Sequence, residues 1–157
     1  MALSMVTEFQ EIIKRDRMDP PFQEIRLQLP SRLNELKKIE HLSERIAKKM
    51  ALSGDEQDNL SIAITEAVGN AIVHGNKKDP RKKVHIVVRM KKECVEVSVR
   101  DHGKGFNPNE LSNPLDPQNV MKENGRGIFI LKSLMDDAWF SFSPEGTTLT
   151  FVMKKKN

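Results

Sequence analysis

The stretch KVHIVVRMKKECVEVSVRD, residues 83–101, decides the fold. Two segments, KVHIVVRM and ECVEVSVRD, flank a short polar turn around Lys92. Both alternate between apolar and polar residues, which is the period of a strand with one buried face. The pair reads as a β-hairpin. On its second strand Val95, Val97 and Val99 share the apolar side. Asp101, two residues further, falls on that same side. A carboxylate at the end of a buried row is costly without a donor. Asp101 therefore either caps the turn DHGKG or faces a ligand.

The flanking segments complete the domain. FQEIRLQLP (22–30) alternates too, with Ile25, Leu27 and Leu29 on one side and Arg26 and Gln28 on the other. Ser31 is the expected N-cap of a helix running to about Met50, with Leu36, Ile39, Leu42, Ile46 and Met50 inside. Ser53-Gly54-Asp55 breaks it. A second helix is expected from about Glu56 to His74, ending at Gly75. GRGIFILKSLMDD (125–137) reads as a short helix. AWFSFS and TTLTFVMKK read as two more strands about the turn Ser143-Pro144-Glu145-Gly146. Leu149, Phe151 and Met153 face inward on the last strand, and so does Thr147. Most strands have one apolar face, so the expected fold class is α/β (α+β), a two-layer sandwich with helices on one face of the sheet. Residues 1–20 are expected to form an N-terminal extension with a short helix ending at Asp19-Pro20-Pro21. Residues 21–157 are expected to form one domain.

Composition limits the function. No apolar run approaches the ~20 residues of a membrane span. MALSMVTEFQ has no signal-peptide pattern, and a lone cysteine, Cys94, makes no internal disulfide, so the expected location is cytoplasmic. The net charge is +4 and the pI about 9.2. The basic clusters, KKDPRKK (77–83), Arg89 with Lys91 and Lys92, and the C-terminal lysines, lack aromatic interleaving. They read as solvated surface and a frayed tail, and no direct nucleic-acid partner is expected.

Two further features break the pattern of an ordinary core. In ITEAVGNAIVHGN (64–76), Glu66, Asn70 and His74 recur every four residues and so form one stripe, drifting about 40° per step. Leu60, Ile64, Val68, Ala71 and Ile72 take the other side, while Ile62, Ala63 and Val73 flank the stripe. A polar line between apolar flanks suits a cleft wall. An Asn oxygen suits a hard cation that also holds phosphates, and a Glu one turn away can accept a proton from an attacking hydroxyl. The bland alternative is a surface stripe with a helix-ending His. The second feature is residues 103–124, with Gly103, Gly105, Pro108, Pro114, Pro117 and five asparagines. A loop of this length is uncommon inside a compact domain unless it is functional, for example as a lid. Gly103 and Gly105 permit close backbone approach. Gly125 and Gly127, with Arg126 between them, lie where a helix begins and its N–H groups are free for phosphate.

EAVGNAIVHG, DHGKGF, NGRGI and GTT, in this order, resemble the N box and three glycine boxes of the GHKL ATPase/kinase superfamily. The short form looks most like the bacterial anti-sigma-factor serine kinases, from about Phe22 to Lys155. Asn124 stands where the family's second glycine box often has the first of two glycines. The resemblance implies a Bergerat ATP-binding fold with a mixed, mostly antiparallel sheet, and ATP and Mg²⁺ as cofactors. Asp101 would accept from the adenine amino group, with Thr147. Asn70 would hold the metal, and Gly125, Arg126 and Gly127 would contact the phosphates. Glu66 would be the general base. Gly103, Gly105, Phe106 and Ile128 complete the implied nucleotide-binding set; His74 receives no chemistry. The implied activity is serine/threonine protein kinase transfer to an anti-anti-sigma protein. A sigma factor is a further implied partner, and a homodimer the implied assembly. The alternative is a regulator that binds partners in a nucleotide-dependent way without catalysis. A sensor histidine kinase fits less well, because His41 in EHLSER lacks the acidic residue that usually follows the phospho-accepting His.

Overall fold

The computed structural model describes residues 23–104 and 123–156. The N-terminal extension, most of the expected lid, and Gly105 and Phe106 lie outside the described residues. Among the described residues, five strands form one sheet in the order β1-β2-β3-β5-β4. They are β1 (Gln23–Pro30), β2 (Lys83–Met90), β3 (Cys94–Arg100), β4 (Asp137–Ser143) and β5 (Gly146–Lys154). The α-helices are α1 (Lys38–Met50), α2 (Gly54–Asn70) and α3 (Glu123–Leu134). This is the α/β sandwich expected from the alternation.

Every strand pairing among the described residues is antiparallel, so the implied mixed sheet is corrected in that detail. The connections explain it. Two helices lie between β1 and β2, so the chain returns to the end of the sheet where β1 stopped and enters β2 reversed. β3 and β4 run in the same direction, but β5 lies between them.

The inner face of the sheet carries the residues that the period predicts. Val84, Ile86 and Val88 of β2, Val95, Val97 and Val99 of β3, and Leu149, Phe151 and Met153 of β5 are buried. They pack with Ile39, Leu42 and Ile46 of α1 and with Leu60, Ile64 and Val68 of α2 in one core. Burying a side chain of this size is worth about 1.5–3 kcal/mol. The outer face is not uniformly wet. Cys94 and Val152 are buried there with Trp139 packed against them, and the buried Lys91 Nζ lies 3.3 Å from Glu96 Oε2.

Three local expectations are corrected. Ser31 does not cap α1. A 3₁₀ turn, Leu33–Lys37, precedes that helix with Arg32 at its N-cap, and Ser31 is fully buried, donating to the Lys82 carbonyl at 2.5 Å. A tertiary partner has taken the hydroxyl from the local one. The tail is not frayed through Lys156. The backbone N–H groups of Lys154, Lys155 and Lys156 donate to Asp136 Oδ2, the Glu93 carbonyl and Glu56 Oε2. Lastly, α2 stops at Asn70 and continues as a π-turn, Ala71–Gly75.

Ser53, read only as a break, caps α2. Its hydroxyl accepts from the Glu56 N–H at 3.1 Å, while Glu56 Oε1 accepts from the Ser53 N–H at 3.0 Å. This reciprocal box satisfies two otherwise open donors. Ser53→Ala is expected to lower stability by about 1 kcal/mol, read by chemical denaturation. An unchanged denaturation midpoint would contradict that role.

Candidate functional site

The wide turn after Asn70 shapes one end of the site. The Asn76 N–H donates to the Ala71 carbonyl at 2.8 Å, an i→i+5 bond. A π-turn takes more residues per revolution than an α-helix. The stripe therefore stops drifting away, and His74 remains beside Glu66 and Asn70. All three line a cleft of about 150 Å³, with Gly69, Val73, Gly127 and Ile128. Glu66 and Asn70 are half-buried and His74 is exposed. Gly127, near the start of α3, lies directly against Glu66, since a Cβ there would collide with the Glu66 carboxylate. α3 begins at Glu123, before the expected glycine start, and of the expected phosphate-binding residues it is Gly127 that meets α2. Ile128 is only 3% exposed and belongs mainly to the core.

Asp101 lies against Gly75 of the π-turn, and three glycines from three segments close around it. A Cβ on Gly75 would run into the Asp101 carboxylate, and one on Gly146 into the Asp101 carbonyl oxygen. One on Gly103 would lie 2.5 Å from the Gly75 carbonyl oxygen. Gly146 also has φ +150°, a conformation that other residues rarely adopt. Gly146→Ala is expected to cost at least about 2 kcal/mol, from strain and overlap together. Wild-type thermal stability in that variant would show that the β4–β5 turn has room to move.

The two readings of Asp101 are not exclusive. Oδ1 does cap the turn, accepting from the Gly103 N–H at 2.8 Å. The Asp101 N–H donates to the Thr147 carbonyl at 2.9 Å, tying the turn to β5. Asp101 is 6% exposed. Burial pushes its carboxyl above the usual range, and the Gly103 N–H opposes this. Beside it, the buried Thr147 hydroxyl oxygen has no hydrogen-bond partner among the described residues. An orphaned hydroxyl and a poorly solvated carboxylate are unsatisfied acceptors and donors that a polar ligand could complete.

Asn76 carries no role in the sequence reading, yet it is fully buried at this end. Its Nδ2 donates to Ser31 Oγ at 2.9 Å and to the Lys83 carbonyl at 3.2 Å. Its Oδ1 accepts from the His102 N–H at 2.7 Å. Gly75, read as a helix terminator, proves to be the wall against Asp101. Only the spacing of polar residues along the helix was available as a signal, and it says nothing of either contact. Lys77 and Lys78 follow with φ of 54° and 58°, so the chain accepts left-handed backbone at two non-glycine residues in order to turn away from the site.

A one-sided α/β sandwich with a polar cleft between α2, its π-turn and α3 defines the class as that of the ATPase domains of histidine kinase type. The family described as "Histidine kinase-like ATPase domain" matches residues 29–153. The serine-protein kinase RsbW of Bacillus mycoides is 29% identical over 122 residues, 74% of this chain and 76% of that protein. The anti-sigma F factor of Anoxybacillus flavithermus is 36% identical over 101 residues, 62% of this chain and 69% of that protein. Among solved structures, the RsbU and RsbW domains of a Mycobacterium tuberculosis protein superpose with TM-score 0.62 at 16% identity. That match covers 85% of this chain but 32% of the solved one. The catalytic domain of histidine kinase ThkA superposes with TM-score 0.51 at 19% identity, over 87% of this chain and 98% of its own. The chain belongs to the histidine kinase-like ATPase domain family, within its group of bacterial anti-sigma-factor serine kinases.

No described helix is long and apolar enough to cross a membrane.

Proposed function

We propose that this protein is an ATP-dependent serine-protein kinase that acts as an anti-sigma factor, transferring the γ-phosphoryl group to a serine of an anti-anti-sigma protein. One observation carries the reading. Glu66 and Asn70 share a cleft wall one helical turn apart, and Gly127 of α3 lies directly against Glu66. The names of the relatives support a protein serine as acceptor and an anti-sigma role.

The chemistry follows from the two ends of the site. Asp101 accepts from the amino group of adenine, and the orphaned Thr147 hydroxyl completes the base pocket, directly or through water. Gly125, Arg126 and Gly127 approach the phosphates with backbone N–H groups and one cationic side chain. Gly103, with Gly105 and Phe106 beyond it, belongs to the same nucleotide-binding set. The residues present fit Mg²⁺. Asn70 offers one neutral oxygen, and such an ion takes its other ligands from phosphates and water. Bound there, it would neutralise phosphate charge. Glu66 takes the proton from the serine hydroxyl as the serine oxygen bonds to the γ-phosphorus. The bond from that phosphorus to the β,γ-bridging oxygen breaks, and ADP leaves. A sigma factor is the second protein partner, and a homodimer the assembly.

Calorimetric titration with ATP and ADP, with and without Mg²⁺, is the first test. The second is mass-spectrometric detection of phosphoserine on an anti-anti-sigma protein incubated with this protein and ATP. Absence of adenine-nucleotide binding would remove the reading. Binding without phosphotransfer would leave a nucleotide-dependent regulator.

A further inference from the structure

We propose that Asn76 is a positioning residue for base recognition, aiming the Asp101 carboxylate at the adenine amino group. The inference rests on Asp101 being the adenine acceptor. A carboxylate discriminates adenine only if its free oxygen keeps its direction, and Asp101 begins the turn after β3 instead of lying within the strand. Three successive N–H groups set that turn. The Asp101 N–H is held by Thr147 of β5, and the Gly103 N–H by Asp101's own Oδ1. The middle one, from His102, is held by Asn76 Oδ1 at 2.7 Å, the shortest of the three.

Asn76 can do this because nothing about it is free to move. Its N–H donates to the Ala71 carbonyl and its carbonyl accepts from the Asp79 N–H. Its amide nitrogen faces Ser31 Oγ and the Lys83 carbonyl, which anchors it to the end of β1 and the start of β2. Which amide atom is oxygen follows from the partners. The His102 N–H can only donate and the Lys83 carbonyl can only accept. The His102 ring is held separately, with its Nε2 2.9 Å from His85 Nε2. Without Asn76 the His102 N–H would lose its acceptor at the pivot of the turn, while the cleft at Glu66 and Asn70 would be untouched. Asn76 should therefore affect which base binds, and leave the grip on the phosphates unchanged.

The test compares ADP with IDP, whose base has a carbonyl where adenine has the amino group and so offers Asp101 no donor at that position. Asn76→Ala is expected to lower ADP affinity about tenfold and to change IDP affinity less than about twofold. Equal losses for both nucleotides would mean that Asn76 only supports the fold, and would overturn the proposal. Unchanged ADP affinity would do so as well. Wild-type protein that binds nucleotide without preferring ADP to IDP would instead remove the reading of Asp101 beneath it. A measurement on unaltered protein guards against a variant that does not fold. The His102 amide hydrogen is expected to exchange slowly in the ADP complex, and exchange at the rate of an open loop overturns the assignment.

Discussion

Asp101→Asn is expected to weaken ADP binding roughly 10- to 150-fold while making the nucleotide-free protein more stable. The two effects share one cause. The carboxylate is buried and has little solvent, so its charge is poorly compensated until a donor arrives. A charged acceptor gains about 1.5–3 kcal/mol from a hydrogen bond. Asparagine keeps the shape and can still accept from the Gly103 N–H, but it turns an amide donor toward an amino donor.

The sign of the pH dependence follows from burial. Asp101's folded pKa is raised above the ordinary aspartate value, chiefly by desolvation. The folded protein then holds this proton more tightly than the unfolded chain does. Asp101's contribution is fully present below the unfolded value and is lost as pH rises through the folded one. The stability advantage of the Asn variant should accordingly appear at neutral pH and vanish in acid. ADP affinity has the opposite trend in wild type. It should fall as pH drops through the raised pKa, because the protonated acid loses its charge as an acceptor. Titrations of wild type and variant across this range would separate the cases, and a parallel pH profile in the two proteins would exclude Asp101 as the acceptor.

Glu66→Gln is expected to lower the phosphotransfer rate by about 10²- to 10⁴-fold with ADP affinity nearly unchanged. Glutamine has the length and shape to fill the space against Gly127, so the cleft should keep its form. What it lacks is the capacity to take a serine proton. The binding end around Asp101 is built from other segments and should not respond. Single-turnover phosphorylation of the partner, measured beside calorimetry with ADP, gives both quantities. A variant that transfers phosphate at the wild-type rate would exclude Glu66 as the base. A variant that loses ADP binding as well would assign Glu66 to the architecture of the cleft.

The site was legible where chemistry rode on a local period. Strand parity carried Asp101 and Thr147 inward, because side chains alternate along a strand whatever surrounds it. Helical spacing put Glu66 and Asn70 on one face for the same reason. Ser31 shows the limit of local reading. Its position after β1 suits a cap, but the hydroxyl bonds to Lys82 and Asn76, more than forty residues away along the chain. The π-turn was hidden as well, since an i→i+5 bond leaves no mark in the order of apolar residues.

By itself, then, the sequence determined the one-faced strands, the helices that cover them, the inward carboxylate and the polar stripe. Each follows from a repeat of two or about four residues, which needs no distant partner. Tertiary structure alone decided that Gly75, Gly103 and Gly146 meet around Asp101, that Gly127 closes on Glu66, and that Asn76 holds His102. Those contacts join segments tens of residues apart, and depend on how the sheet and helices pack together. Backbone approach within about a side chain's width is set by that packing, not by any period along the chain.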